Sequence, residues 1–310
     1  MTLPQSYLGI DIARSRLDIF DETLGPLPPV ANDPAAIAAF LASLAGRSVS
    51  VVFEATGAYD RPLRVALEAA GIPSIRVNPG RARDFARAAG YLAKTDAVDA
   101  RMLAAMGRAI AMPTAEPMDP VREQLGALSR QRDWLVAVRA EEKTRALQAA
   151  DPQVKASIVR HIAWLTQEIR SIETAIAALV AASPELREIK SLLETAPGVG
   201  PVTAVTLIAQ MPELGRRSAK AVAALAGLAP LNNDSGDRRG RRAIRGGRRR
   251  VRKALYMAAL SAIRAVPRFA RAYADIAKRA ASSKVAVIAV ARRLLVALNA
   301  MIAKRQPFTP

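Results

Sequence analysis

Four acidic residues in the first third of the chain have the types and spacing needed to hold divalent metal ions. Asp11 lies near the end of a short apolar segment, GIDIA, and Glu54 ends a second one, SVSVVFE. Asp96 and Asp99 are three residues apart at the start of a helical pattern, so both should lie on one helical face. Carboxylate oxygens are the ligands that Mg²⁺ takes, with Mn²⁺ as an alternative ion. Two such ions would clamp the attacking and leaving oxygens of a phosphodiester.

Each of these acids also has a purely structural interpretation. Asp11 could cap a strand end, Glu54 could pair with Arg61, and an acid at a helix N-terminus is stabilised by the helix dipole. However, a carboxylate on a central strand is costly to bury unless it is paired or binds a cation. The order of a hairpin acid, a strand-end acid and a helical Asp-x-x-Asp is similar to that of RNase H-like, RuvC-type nucleases. This order favours the joint metal-site interpretation.

Ser235 stands in the segment LNNDSGDRRGRRAIRGG, which spans residues 231–247. Asn, Asp, Ser and Gly all suit turns, so an ordinary turn residue is one interpretation of Ser235. The other is a nucleophile placed where a phosphate would arrive. A serine hydroxyl then needs activation by a base, a metal or strong electrostatics. The single histidine, His161, falls on a predicted helical arm far from Ser235 in sequence, and we interpret it as a helix-surface or interface residue.

The positive charge of the chain is concentrated in its last third. The net charge is +19, and residues 190–310 carry 24 basic and 5 acidic residues, whereas residues 1–109 and 110–189 are close to neutral. Such a field attracts a polyanion, and nucleic acid is the first candidate; a solvated basic tail is the alternative. The densest run has ten cations and no acid: Arg238, Arg239, Arg241, Arg242, Arg245, Arg248, Arg249, Arg250, Arg252 and Lys253. These side chains should bind phosphates with a steep salt dependence.

A second candidate phosphate site is the segment APGVGPVTAV, which resembles a helix-hairpin-helix turn. Gly198 and Gly200 would expose backbone N–H groups at a helix N-terminus, an arrangement suited to phosphate. A tight turn with only a structural role is the alternative.

Three regions should position these groups. An opening hairpin, Tyr7–Ile12 and Arg16–Phe20, followed by alternating helices and strands predicts an α/β domain over residues 1–112. Residues 113–187 predict two long helices broken near Pro152, which form a projecting hairpin or coiled-coil arm. The arm could pair subunits, span nucleic acid or act as a mere spacer. Residues 188–310 predict a basic, mostly α-helical domain that carries Ser235.

Composition excludes several classes of protein. The chain has no cysteine, so disulfides and thiolate zinc sites are absent and a reducing compartment fits. No stretch of about 18 uncharged apolar residues suggests a membrane span, and the first residues do not resemble a signal peptide. We therefore expect a soluble protein of the bacterial cytoplasm that is nucleoid-associated when active and has no membrane partner.

Several long blocks resemble, in order, those of the DEDD transposases encoded by insertion sequences of the 110 type. They are GIDIARSRLDI, FEATGAYDRPLRVALEAAGI, VNPGRARDFARAAGYLAKTDAVDARMLA, LETAPGVGPVTAVTLIAQMPEL and LAGLAPLNNDSGDRRGRRAIRGGRRRVRKALYMAAL. The resemblance covers about residues 6–110 and 190–265. The family's metal-binding acids match Asp11, Glu54, Asp96 and Asp99, and its C-terminal serine matches Ser235.

The resemblance implies DNA recombination by a RuvC-like domain and a C-terminal transposase domain acting together. It also implies an element-encoded non-coding RNA that pairs with donor and target DNA, and dimers that pair into a tetramer. Ser235 is then a nucleophile activated by the metal that the four acids hold, and a covalent phosphoserine link would conserve bond energy for rejoining. That chemistry requires the basic region to meet the α/β domain within a subunit or between partners.

Three functions therefore compete. The leading one is a DNA transposase or recombinase that uses a metal site and a serine, with RNA guidance. The second is a RuvC-like nuclease that hydrolyses branched DNA with water, in which Ser235 is a turn residue. The third is a basic nucleic-acid-binding protein without catalysis, but such a protein would have no use for four placed acids beside phosphates.

Overall fold

We analysed a computed structural model of the chain, which describes residues 6–57, 59–91, 95–117, 119–232, 236, 240 and 242–309. Four of the predicted site residues lie outside the described residues: Ser235, Arg238, Arg239 and Arg241. The chain divides into two compact units, residues 1–118 and residues 119–310. Each unit is described by itself below.

The first unit is built on one five-stranded mixed sheet. Its strands are β1 (Ser6–Ile12), β2 (Arg16–Asp21), β3 (Gly25–Ala31), β4 (Val49–Glu54) and β5 (Ser74–Val77). The spatial order is β3-β2-β1-β4-β5, with β1, β2 and β3 antiparallel and β4 and β5 parallel to β1. The predicted opening hairpin is confirmed. The sequence did not predict β3, because its three prolines cannot donate to a ladder, and such a strand is tolerated only at a sheet edge.

Four helices cover the two faces of this sheet: α1 (Pro34–Ala42), α2 (Arg61–Ala69), α3 (Pro79–Ala88) and α4 (Asp96–Ala109). One face of the sheet packs Ile10, Ile12 and Phe53 into a core with α1 and α2. The opposite face packs Tyr7 and Val52 against α3 and α4. Asp33 caps α1, since its carboxylate accepts a hydrogen bond from the Ala36 backbone N–H.

Glycine allows α4 to lie directly on the sheet. A Cβ atom on Gly9 of β1 would overlap with the carbonyl oxygen of Ala100 in α4. A Cβ atom on Gly107 of α4 would lie 2.6 Å from the ring of Tyr7 and 2.7 Å from the Val52 side chain. Both contacts are closer than side chains tolerate, so two glycines set the distance between α4 and the central strand.

The second unit begins with an antiparallel helical hairpin, α5 (Pro120–Gln148) and α6 (Pro152–Ala182). The break falls where predicted, and Asp151 caps α6 by accepting hydrogen bonds from Gln153 and Val154. Six of the less exposed residues of α5 follow one another at alternating spacings of three and four, as in coiled coils: Leu125, Leu128, Arg132, Leu135, Arg139 and Glu142. The hairpin is thus observed, whereas a supercoiled, projecting arm stays a prediction.

The remaining elements of this unit pack round a single core. They are α7 (Pro184–Glu194), α8 (Pro201–Gln210), α9 (Ala219–Leu225), β6 (Pro230–Leu231), β7 (Ala243–Ile244), α10 (Arg249–Ala265), α11 (Pro267–Ala277) and α12 (Ser283–Lys304). The hairpin's base shares this core, because Leu125, Ile176 and Val180 belong to the same buried cluster as Leu255 and Leu294. The hairpin base and the helices after residue 187 thus share one core, and the domain boundary at residue 187 stays a prediction.

Among the described helices, α12 alone is long and apolar enough to cross a membrane by length and composition. Half of its apolar stretch is buried inside the unit, where Val290, Leu294 and Leu298 have no exposed surface. This helix is therefore accounted for as a core helix of the second unit.

Candidate functional site

The sheet places two of the four predicted acids side by side. The parallel register of β1 and β4 pairs Ile10 with Phe53, so the next positions along both strands are Asp11 and Glu54. Side chains alternate between the faces of a strand. Asp11 therefore shares the face of Gly9, and Glu54 shares the face of Val52, which is the face covered by α4. Both carboxylates are half-buried there.

The first turn of α4 brings the other two acids to the same face. Thr95 caps the helix by accepting a hydrogen bond from the Val98 backbone N–H, so that Asp96 and Asp99 both stand in the first turn. Asp99 directly precedes Ala100, the residue that lies against Gly9 of β1. The close approach of helix and strand therefore sets Asp99 near Asp11, two residues beyond Gly9.

Electrostatics show that these carboxylates interact. Burial and the negative charges of Asp99, Asp96 and Asp18 together raise the pKa of Asp11 from its ordinary value to about 6, and burial has the largest effect. A hydrogen bond from the Ile12 backbone acts in the opposite direction. Like charges that crowd a half-buried carboxylate make its ionised form costly, and a bound cation would remove that cost.

Two residues that the sequence analysis did not single out complete this cluster. Asp18 on β2 lies directly opposite Asp11 in the antiparallel ladder. Arg16 bridges the acids, with its Nε 2.9 Å from Asp18 and its Nη2 2.6 Å from Asp96. The signal was present in DIARSRLD, since Arg16 and Asp18 are two apart and share a face of a strand.

Loops beyond the strand ends are tied together by Asn32. Its side-chain amide donates to the Ala13 carbonyl at 2.9 Å and to the Tyr59 carbonyl at 3.0 Å. These loops follow β1 and β4, the strands that carry Asp11 and Glu54. The fully buried Asp60 adds a second tie, because it accepts hydrogen bonds from the Thr56 backbone N–H and from Arg76 of β5. The two acidic strand ends are thus positioned by the same network.

The residues present fit a hard divalent cation by their chemistry. All four predicted ligands are carboxylates on one face of one sheet, and Mg²⁺ is bound through carboxylates, waters and substrate phosphates. Within the described part of the chain, no three Asp, Glu or His side chains are gathered as ligands round one point. Asp11, Asp18, Asp96 and Asp99 are therefore neighbours whose charges interact, with Glu54 on the same face, and they do not form a closed ligand cage.

The arginine run divides into two groups. Three of its guanidinium groups are occupied within the protein. Arg248 makes two 2.6 Å contacts with Glu213 and one with the Met211 sulfur, and Arg250 contacts Asp133 at 2.6 Å and the Ser129 carbonyl at 2.9 Å. Arg252 donates to the carbonyls of Gly227 and Gly246. These contacts give the three arginines a structural role inside the second unit.

The other described cations of the run are free to meet a ligand. None of them forms an ion pair with a residue that the structure describes, and all are exposed: Arg242, Arg245, Arg249 and Lys253. Burial alone would raise the pKa of the Glu213 carboxyl, but the hydrogen bonds and charge of Arg248 outweigh burial and lower it. The sequence could not separate the two groups, because Glu213 and Asp133 lie far from the run along the chain.

The candidate glycine turn has a structural explanation at one of its two positions. Gly198 has a φ of +79°, and a Cβ atom there would overlap with the Ala258 carbonyl oxygen of α10. Close packing therefore requires this glycine. Gly200 has open space around its Cα and precedes α8 without a side-chain cap. Phosphate binding at this turn stays a prediction.

Ser235 lies in the connection between the two strands of a small sheet. β6 and β7 pair antiparallel, with Pro230 opposite Ile244 and Leu231 opposite Ala243. This pairing fixes both ends of the segment 232–242. Ser235 itself lies outside the described residues, so its predicted role stays a prediction.

Comparisons with known proteins agree with this architecture. A DEDD-type transposase family model matches residues 8–151, and the model of the transposase IS116/IS110/IS902 family matches residues 190–274. The chain is 30% identical to the pilin gene-inverting protein of Moraxella lacunata over 318 aligned positions, which cover 99% of this chain and 98% of that protein. The namesake from Moraxella bovis is 29% identical over the same shares.

The DEDD match implies an RNase H-like fold for the sheet that carries the acids. Metal dependence is typical of such transposases, and their substrate is DNA. The sheet carries an acidic cluster on the face covered by α4, and the second unit is basic. Both family models and a relative aligned over almost its whole length match the chain. The chain therefore belongs to the family of DEDD transposases of the IS110 type.

Proposed function

We propose that the chain cuts and rejoins DNA by transesterification, with Asp11, Glu54, Asp96 and Asp99 as ligands of Mg²⁺ and Ser235 as the nucleophile. The observation that carries this proposal is that the register of β1 and β4 and the first turn of α4 place the four acids on one face of the sheet, where burial and the charges of Asp99 and Asp96 raise the pKa of Asp11. Separate structural duties for these acids would not need them to share one face. Mn²⁺ is the alternative ion.

The bond changes of this reaction balance without an energy source. The Ser235 oxygen forms a bond to phosphorus as the bond from phosphorus to the leaving strand breaks, and the leaving strand keeps a hydroxyl end. Attack of a strand-end hydroxyl on the phosphoserine reverses these changes during rejoining. When bound, Mg²⁺ would supply charge stabilisation for the phosphate oxygens and polarise the attacking oxygen. The exposed cations of the arginine run would hold the flanking phosphates.

The proposal extends to partners. The names of the two Moraxella relatives state inversion of a pilin gene, which requires every cut end to be rejoined. We propose conservative recombination of this kind, guided by an element-encoded RNA, on nucleoid DNA in the bacterial cytoplasm. The hairpin of α5 and α6 would be a coiled-coil arm that pairs subunits into dimers, with tetramers forming on nucleic acid.

A denaturing gel tests the chemistry. The full chain, the RNA of its element and end-labelled target DNA are incubated with Mg²⁺, and the gel is searched for a protein–DNA adduct. The adduct should form with the wild type and be absent with Ser235→Ala. Asp11→Asn should abolish both adduct and cleavage. Cleavage to free 5′-phosphate ends at the wild-type rate by Ser235→Ala would establish the nuclease alternative instead.

A further inference from the structure

A large groove in the second unit borders the arginine run and shares Arg242 with it. It has a volume of about 1,210 Å³ and is lined by α11, α12 and the strands β6 and β7. Its floor is aliphatic, formed chiefly by Ile276, Val285, Ile288, Val296 and Ala300. Val285 is 44% exposed. The groove therefore presents apolar surface that no described element of the chain covers.

The charged residues of this groove are all basic. Its lining includes six cations and no acid: Arg242, Arg268, Arg279, Lys284, Arg292 and Arg293. None of the six forms an ion pair with a residue in the described ranges. Arg268 stacks over the rings of Phe269 and Phe308 instead. This contrasts with Arg248 and Arg250, which are held by acids of the protein.

The lining residues of α12 show that the groove is elongated and runs along the helix. Lys284, Ile288, Arg292, Val296 and Ala300 all line it and follow one another at intervals of four. They thus form one row of two cations and three aliphatic side chains that winds gradually round the helix along the groove. At about 1.5 Å per residue the row is roughly 24 Å long, the length of about seven stacked nucleotides at ~3.4 Å each.

We propose that this groove binds a single strand of nucleic acid, with phosphates at the six cations and bases over the aliphatic floor. Unpaired bases present apolar faces, and grooves of this kind combine cations that follow the backbone with surfaces that receive the bases. A duplex presents mainly phosphate and sugar at its outer surface and would leave the floor uncovered. DNA and RNA strands share the required chemistry.

Charge argues against a second copy of this chain as the occupant. The six cations call for an acidic partner, but residues 1–109 and 110–189 are close to neutral and residues 190–310 carry the entire excess of +19. None of these three segments has a substantial net negative charge, so composition favours nucleic acid over a second copy as the occupant. The groove also borders β6 and β7, which hold the ends of the segment that contains Ser235. A strand in the groove would therefore lie beside the sheet from which that segment extends.

Fluorescence anisotropy on the full chain tests this proposal. The probes are a labelled 12-nucleotide DNA strand, an RNA strand of the same sequence and the corresponding duplex, all in EDTA so that cleavage does not intervene. The variant is Arg279→Gln/Arg292→Gln/Arg293→Gln. The control is Arg187→Gln/Arg264→Gln/Arg271→Gln, which removes equal charge from exposed positions of the same unit outside the groove.

We expect the groove variant to weaken single-strand binding by at least about tenfold and to reduce the salt slope by about two to three, whereas the control changes affinity less than threefold. The tighter of the two single strands identifies the natural ligand. Equal weakening by the control, or a loss of duplex affinity in the groove variant equal to its loss of single-strand affinity, would overturn the proposal.

A second variant tests the floor without changing charge. Val285→Gln should weaken single-strand binding but leave inorganic polyphosphate binding unchanged, because polyphosphate has no bases. The matched control is Val65→Gln on α2, at a position 43% exposed. Unchanged oligonucleotide binding by Val285→Gln would refute the inference. A change in the mass of the assembly by analytical ultracentrifugation, with nucleic-acid binding intact, would show that the groove binds another subunit and would also refute it.

This proposal concerns binding, and its test is independent of the test of the chemistry. Ser235→Ala should lose the covalent adduct but keep wild-type anisotropy. The groove triple variant should lose affinity in EDTA, where no adduct forms at all. Failure of one proposal is therefore distinguishable from failure of the other.

Discussion

The Arg16 guanidinium lies 2.6 Å from the Asp96 carboxylate, eighty residues away in the sequence. Asp96 is one of the four acids assigned to the metal, so a fixed positive charge stands beside the proposed ligands. The side chains of the pair are 53% and 52% exposed, and such a surface ion pair contributes little to folding stability. If Asp96 binds a divalent ion as proposed, Arg16 would compete with that ion for the same carboxylate.

We predict that Arg16→Gln tightens the binding of Mg²⁺ or Mn²⁺ by about three- to tenfold, because it removes a competing charge. Isothermal titration calorimetry measures the affinity. The control is Arg14→Gln, an exposed cation two residues away with no ion pair among the described residues. Weaker metal binding by Arg16→Gln would show instead that Arg16 orients the ligands.

The pKa of Asp11 predicts how the stability of the metal-free protein depends on pH. The folded-state pKa is about 6 and the ordinary value is 3.8, so the folded state holds its proton more tightly than the unfolded state does. Raising the pH from about 4 to 6 therefore lowers the free energy of unfolding, and the loss is complete above pH 6. Asp11→Asn removes this loss.

Thermal melting in EDTA between pH 4 and 8 measures this effect. The Tm advantage of Asp11→Asn over the wild type should grow from pH 4 to 6 to a few degrees and then stay constant. Mg²⁺ should stabilise the wild type above pH 6 and leave Asp11→Asn unchanged. Asp84→Asn, on the exposed side of α3, is the control. An advantage of Asp11→Asn that is independent of pH would contradict the assignment.

Gly9 links packing to the site, and its substitution should damage both. Gly9→Ala drives a methyl group into the Ala100 carbonyl, so α4 must move away from β1 and carry Asp99 away from Asp11. We predict a destabilisation of about 1–3 kcal/mol by urea unfolding, together with weaker Mg²⁺ binding. Gly126→Ala in α5, where the nearest atom is an Arg130 nitrogen at 3.4 Å, should be neutral or stabilising.

The arginine run should separate under mutation into residues that hold the fold and residues that hold nucleic acid. Arg248→Gln breaks the half-buried pair with Glu213 and should cost about 2 kcal/mol in urea unfolding. Because the pKa of Glu213 is lowered in the folded state, this contribution is present above the ordinary pKa of a glutamate and is lost as the pH falls.

Arg249→Gln provides the contrast one position further along the chain. Its side chain is exposed and makes no ion pair with the described residues, so stability should stay unchanged while nucleic-acid affinity falls. The change should lower the salt slope by about one. Equal stability losses in Arg248→Gln and Arg249→Gln, measured at pH 7, would remove the distinction between the two groups.

Local patterns made much of the fold predictable. The opening hairpin and the break at Pro152 both follow from residues within a few positions of one another. The four acids could be placed on three elements for the same reason. That Asp11 and Glu54 share the α4 face required the strand order, which no local pattern contains.

What the sequence left undetermined depends on contacts between distant residues. Arg250 looked like its neighbours until α5 brought Asp133 to it across 117 positions. Arg16 could not be assigned to Asp96 without the packing of α4 on the sheet. The groove collects its lining from positions between 228 and 300, where the basic residues are diluted by alanine and valine. The composition showed the positive charge of this region, but it could not show that six of the cations line one groove.

The hydrogen bonds between Arg250 and α5 connect α10 to the helical hairpin. Arg250 lies in the first turn of α10 beside the exposed Arg249. Its guanidinium group donates hydrogen bonds to Ser129 and Asp133 of α5, near the base of the helical hairpin. Each helix of that hairpin extends roughly 45 Å. The helix that presents Arg249 is therefore joined directly to the hairpin, and the two cannot move independently without breaking these hydrogen bonds.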